Sequence, residues 1–203
     1  MKTKMNISLN EVITVIVATT LLSIASCGAG HNDSTEKEDK AKVAQAGVKP
    51  PSMDIFSASL FGDLTAINQH IKAGTNLNAK DAYGSTPLII AATFGKTEVA
   101  KALINAGADV NITNNDGGTA LHSAAFLCRE GIVKALLDGG IDTSIRNNFG
   151  STALESVLAP FEMVKGIYEQ FSRDLGPLGL KLDYEQIEKT RPVIARMIQK
   201  SES

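Results

Sequence analysis

From about residue 53 onward the chain restates itself every 33 residues. Asp81-Ala82-Tyr83-Gly84-Ser85-Thr86-Pro87-Leu88 lies over Asn114-Asn115-Asp116-Gly117-Gly118-Thr119-Ala120-Leu121, and again over Asn147-Asn148-Phe149-Gly150-Ser151-Thr152-Ala153-Leu154. The second half of each unit keeps the register: Val99, Ala100, Leu103, Ile104, Gly107 and Asp109 recur as Ile132, Val133, Leu136, Leu137, Gly140 and Asp142. One period earlier stands a degenerate unit marked by Ile55, Ala58, Gly62, Ala66, Ile67, Ile71, Gly74, Leu77 and Asn78. A fixed period of this length builds a solenoid, because a single unit is too small to bury its own apolar stripe and is stable only against its neighbours.

Each unit reads as two short helices behind a turn. Asp81 to Gly84 is a turn signal. Thr86 can cap a helix whose first residue, Pro87, needs no backbone donor. Leu88, Ala91 and Ala92 make a narrow apolar face, small enough for helices to approach closely, and Gly95 ends the helix. A second helix is expected from about Thr97, with Val99, Ala100, Leu103 and Ile104 on its buried stripe and a left-handed stop at Gly107. The first unit has no Thr-Pro-Leu and carries His70 where its successors have Leu103 and Leu136, which predicts a wet outer face on a terminal cap.

With its 33-residue period, turn glycine, Thr-Pro-Leu, paired alanines, leucine pair and terminal Gly-x-Asp, the stretch from 53 to about 158 resembles the ankyrin repeat. The resemblance implies an all-α ankyrin repeat solenoid of about four helix-turn-helix repeats. The pattern breaks in the fourth, where Pro160 and Phe161 occupy the inter-helix turn. Two arrangements are open there. Residues 192–198 match the Thr97-to-Ile104 phasing at an offset of 94 rather than 66, which implies a 28-residue insertion. Alternatively, Phe161 to Phe171 is the second helix and residues 184–200 form an added capping helix. Both put a non-repeat helical cap or insertion over residues 161–203, after repeats at 53–160.

The front of the chain reads as an address. Lys2 and Lys4 precede an apolar stretch from Val12 to Ala25, shorter than the roughly 20 residues needed to span a bilayer, as a signal peptide would be. Ile24-Ala25-Ser26-Cys27 resembles the lipobox of bacterial lipoproteins, which implies cleavage after Ser26 and lipid attachment at Cys27. The alternatives are an ordinary signal peptide cut near Ala25 and an uncleaved anchor helix. Two or more acyl chains give stable attachment without a spanning helix. By the same resemblance Gly28, where an inner-membrane retention signal would put Asp, favours the periplasmic face of the outer membrane. Residues 27–52, mixed in charge, poor in large apolar side chains and ending in Pro50-Pro51, cannot bury enough surface to offset their ordering entropy and are expected to be a flexible tether.

Little in the chain suggests catalysis. Two Cys and three His are too few for a disulfide framework or a Cys/His zinc site. A formal charge of −2 leaves no surplus for nucleic acid. His122 and Cys128 are the one pair worth testing as base and nucleophile. Cys128 replaces Gly95 of the preceding repeat and reads as a small buried thiol. His122 stands at the His of the ankyrin Thr-Pro-Leu-His signature, where the resemblance implies a structural imidazole linking neighbouring turns. No catalytic group, metal site or cofactor is therefore expected, and the protein is read as a non-enzyme.

Ankyrin arrays usually hold partners with turn tips and first helices, so the resemblance points to Tyr83, Asp116 and Phe149 at the tips. It points equally to Phe61, Phe94 and Leu127 at the ends of the first helices, each set spaced by 33 residues. Aromatic anchors on an exposed surface suit a protein-binding hot spot; the competing reading is that they fill gaps between repeats. Residues 53–160 carry ten acidic and seven basic side chains, a balance that favours a neutral or basic partner. The expectation is a monomeric, lipid-tethered module of the bacterial envelope that binds an envelope or periplasmic protein. The alternatives are a structural or assembly scaffold, and an immunity or inhibitor protein for an envelope enzyme or toxin.

Overall fold

The computed structural model describes residues 51–202. The signal peptide at 1–26, Cys27 and nearly all of the tether lie outside the described residues. Nine α-helices follow one another among those described: α1 (Ile55–Phe61), α2 (Leu64–Lys72), α3 (Pro87–Thr93), α4 (Thr97–Asn105), α5 (Ala120–Phe126), α6 (Glu130–Asp138), α7 (Ala153–Leu158), α8 (Phe161–Leu175) and α9 (Tyr184–Ser201). A single 3-10 turn, Gly176–Leu178, separates the last two, and the described residues contain no strand.

The capping chemistry is as the sequence predicts. Thr86 Oγ1 accepts from the Ile89 amide at 3.3 Å with Pro87 in the first turn. Thr152 and Glu155 cap each other's backbone amides reciprocally. First helices α1, α3, α5 and α7 stack in one row, and second helices α2, α4 and α6 stack behind them. Ala58, Ala91, Ala92, Ala124 and Ala125 are fully buried between the rows. Ile67, Leu103, Ile132 and Leu136 fill the centre of the second row, also at zero exposure. Fully burying an aliphatic side chain of this size stabilises by about 1.5–3 kcal/mol.

Repeats are also joined along their turns. The Asn115 amide donates to Tyr83 O at 3.0 Å, and one period later the Asn148 amide donates to Asp116 O at 2.8 Å. The side chains repeat the motif, Asn115 Nδ2 donating to Ala82 O and Asn148 Nδ2 to Asn115 O. The turn backbones therefore form a ladder perpendicular to the helices, without regular strands.

Helix α9 resolves the fourth repeat. It packs on α7 and α6 as α6 packs on α5 and α4, so it is that repeat's second helix, reached after an insertion. Its buried residues are Ile194, Ala195 and Ile198, in the register of Ile132, Val133 and Leu136. They stand 62 residues on instead of 33, so the insertion is 29 residues long, one more than the hydrophobic match of Val193 to Val99 suggests. Helix phase, set by which face is covered, overrides residue similarity here. In this register Pro192 stands at the place of Thr97 and Glu130, the first residues of α4 and α6, where a missing amide costs little. Two further turns have been added ahead of it.

The inserted helix α8 builds a second, smaller core. Tyr168, Leu127 and Ile187 are buried together, with Phe126, Phe161, Val164 and Phe171 around them. Tyr168 stacks on Phe126 with centroids 4.5 Å apart and planes at 15°, while Phe171 meets Phe126 edge-on at 5.9 Å.

The expectation of a wet outer face at His70 is corrected. His70 is only 4% exposed, with Nε2 2.9 Å from Met53 O and Nδ1 3.1 Å from Thr75 Oγ1. The chain just before α1 folds over it, so a polar ring occupies a core position because both nitrogens find partners.

Candidate partner-binding surface

The six residues singled out for recognition are placed unequally. Phe61 at the end of α1 is 63% exposed, and Tyr83 and Phe149 at the turn tips are 53% and 37% exposed. Phe94 and Asp116 are half-buried. Leu127 does not belong with the others: it is 2% exposed beneath the insertion, against Tyr168 and Ile187. The row Phe61, Phe94, Leu127 is thus open at its first two members and closed at the third by α8 and the start of α9.

Beside this row lies a second one that sequence reasoning passed over. Lys96 and Arg129 begin the second-helix half of repeats two and three, and in the corrected register Arg191 is their counterpart in repeat four. The Lys96 stem crosses Gly62, where an added Cβ would lie 2.9 Å from Lys96 Cδ. The Arg129 side chain crosses Gly95 in the same way, where such a Cβ would lie 3.0 Å from Nε. Both glycines have positive φ, +79° and +68°, so the close approach and the backbone turn both call for glycine. The signal was available in the sequence as a basic residue two positions after each Phe, at 33-residue spacing.

The three cations differ in what they meet. Arg191 is 3% exposed and fully engaged: Nη1 donates to Tyr168 Oη at 2.7 Å, and Nη2 to Ser156 O at 3.0 Å and Ala159 O at 2.7 Å. Tyr168 Oη in turn donates to Phe126 O at 2.6 Å. Burial pushes the Tyr168 phenol up to about 12. Arg129, by contrast, has a buried Nε with no hydrogen-bond partner, and burial lowers its pKa with no carboxylate opposing it. The four ion pairs among the described residues are Lys101–Glu98, Lys134–Asp138, Arg146–Glu155 and Lys189–Glu185, and none reaches this row. The acidic excess of the repeats is therefore not spread evenly, and this edge favours an acidic partner where net charge alone pointed the other way.

His122 and Cys128 do not form a catalytic pair. His122 Nδ1 lies 2.9 Å from Thr119 Oγ1, and its Nε2 lies 3.1 Å from Ser151 O in the next repeat. The ring links adjacent repeats, and burial lowers its pKa. Cys128 adopts φ 55°, a left-handed conformation inherited from the glycine slot it fills. Burial pushes its thiol up to about 11, despite Arg191 and Arg129 nearby, so the thiolate a nucleophile needs is scarce at neutral pH. Among the described residues no three His, Cys, Asp or Glu side chains are grouped to hold a metal ion.

Stacked helix pairs with laddered turns define an all-α solenoid of the ankyrin type, an architecture of protein–protein interaction modules. Residues 55–147 match the family model "Ankyrin repeats (3 copies)". A search of curated proteins finds no match.

Proposed function

We propose that the protein is a lipid-tethered recognition module of the bacterial envelope, binding one protein partner through the turn tips and the open ends of its first helices. The exposure of Phe61, Tyr83 and Phe149 at period-related positions carries this reading, because large aromatic side chains left in water are disproportionately hot-spot residues. Phe94 and Asp116 complete the surface between them. Envelope attachment rests on Ile24-Ala25-Ser26-Cys27 and the short apolar stretch before it. The module acts as a monomer at the periplasmic face of the outer membrane, and binding inhibits or protects the partner.

Capture from envelope extract with the full chain and with Phe94→Glu tests the surface: a dominant partner retained by the first and lost by the second is expected, and equal retention would eliminate it. Palmitate labelling that persists in Cys27→Ser would remove the anchor. A scaffold role is a second reading, favoured by the exposure of Leu158, Met163 and Leu178 in the C-terminal part. It predicts partner loss on Met163→Glu instead of Phe94→Glu.

A further inference from the structure

Three repeats present a cation at the same slot, and one of them shows how that slot is filled. Arg191 is engaged by Tyr168, whose ring sits on Phe126 and beside Leu127. The element supplying Tyr168 is a helix, α8, which also brings Phe161 seven residues earlier into the same cluster. The insertion thus acts as a built-in ligand for the last position of a row whose earlier positions, Phe61 with Lys96 and Phe94 with Arg129, are left open.

We propose that the edge formed by Phe61, Lys96, Phe94 and Arg129 seats an acidic amphipathic helix of a protein partner, apolar side chains on the two phenylalanines and carboxylates on the two cations. This rests on the binding-module reading and adds the partner's chemistry to it. The spacing fits: neighbouring packed helices lie about 8–10 Å apart, and seven residues of a helix advance about 10.5 Å. One face of such a helix reaches Phe61 and Phe94 with residues i and i+7, and i+3 or i+4 falls between them beside a cation.

The charges fit as well. Arg129 and Lys96 make no hydrogen bond or ion pair within the described residues, and Arg129 keeps a buried Nε without an acceptor. The nearest acids in sequence do not neutralise them. Asp63 Oδ1 is engaged by the Ala66 amide at the start of α2, and Glu130 is exposed with no contact to Arg129. On the opposite row of helices Lys101 and Lys134 are each paired with an acid of their own helix. The unpaired cations are the ones that border the aromatic row.

Two labelled 18-residue helical peptides test this against the full chain by fluorescence anisotropy. Both carry Leu and Tyr at i and i+7, with Glu at the intervening positions in one and Lys in the other. The Glu peptide is expected to bind at least about tenfold more tightly, and the Lys96→Gln/Arg129→Gln variant should reduce that preference below about threefold. Phe61→Ser, an exposed site that leaves the core intact, should weaken the Glu peptide about tenfold or more. Circular dichroism melts establish that each variant is folded, and Arg129→Lys should restore part of the preference. Equal or tighter binding of the Lys peptide, or a preference that survives the double variant, would overturn the inference while leaving the aromatic surface standing. Binding of neither peptide would also overturn it, and the Phe94→Glu capture would still decide the broader reading. Sign-dependent binding to phosphatidylglycerol vesicles in place of the peptides would reassign the edge to a membrane surface.

Discussion

Replacing Tyr168 by Phe keeps the ring on Phe126 and removes a single oxygen, so it isolates the polar link that fastens α8 to the array. That oxygen accepts from Arg191 Nη1 at 2.7 Å and donates to Phe126 O at 2.6 Å. Tyr168 is 0% and Arg191 3% exposed, so water cannot replace either bond. A hydrogen bond to a charged donor contributes about 1.5–3 kcal/mol and a neutral one about 1, while the guanidinium retains Ser156 O and Ala159 O. The expected loss is therefore about 2–4 kcal/mol. At a urea m-value of about 2 kcal/mol/M this lowers the midpoint by about 1–2 M, read by far-ultraviolet circular dichroism. Faster amide exchange along α8 should accompany it. The double variant Tyr168→Phe/Arg191→Met should cost less than the sum of its parts by about 1 kcal/mol or more, since it removes the stranded charge with its partner. A loss below about 0.5 kcal/mol, or strict additivity of the two changes, would show that the stacked rings alone hold α8 and that this account of the link is mistaken.

Burial lowers the His122 pKa, so the unfolded chain takes up a proton first; its contribution is complete above about pH 6.5 and is lost as pH falls through the folded value. Urea midpoints at pH 7.5 and 5.0 should separate less in His122→Asn than in the parent, and an identical separation would exclude the assignment. With the Cys128 thiol pushed up to about 11 from 9.0, iodoacetamide at pH 8 should alkylate the folded Cys27→Ser chain on the order of 100-fold more slowly than the same chain in urea. Comparable rates would mean an accessible thiolate. Gly84 and Gly150 occupy equivalent turns at φ +71° and +77°, yet an added Cβ at Gly84 meets Asn115 Oδ1 at 2.4 Å whereas at Gly150 it meets nothing within 4 Å. Gly84→Ala should therefore cost about 1 kcal/mol or more beyond the roughly 1–2 kcal/mol of left-handed strain shared with Gly150→Ala. Equal thermal shifts would contradict the ladder between turns.

Wherever a residue's environment repeats with the period, the sequence was a sufficient guide. Thr86, Pro87, Gly95, Leu103 and Gly107 all sit where turn and capping chemistry put them, because each answers to neighbours within its own unit or the next. The misreadings come where a contact leaves that scheme. His70 is covered by Met53, seventeen residues earlier and outside the repeat, and Leu127 by an insertion that no periodicity describes. The length of the insertion was misjudged by one because Val193 resembles Val99 while Ile194 is the residue that turns inward. The paired character of the Phe and cation rows was present in the letters, but net charge concealed it. Whether a cation is neutralised by its own helix or left open depends on geometry that counting does not capture.

Because α9 supplies the fourth repeat's second helix from beyond the inserted segment, the stack is finished out of order. A ribosome has made Ala153 to Leu175 well before the residues that must lie against α6 and α7 exist. Any chain halted ahead of Tyr184 would present Ile132, Val133 and Val157 to water with nothing to cover them. Quality control by proteolysis would find such fragments readily, so premature termination in the last stretch removes the protein instead of leaving a shortened binder.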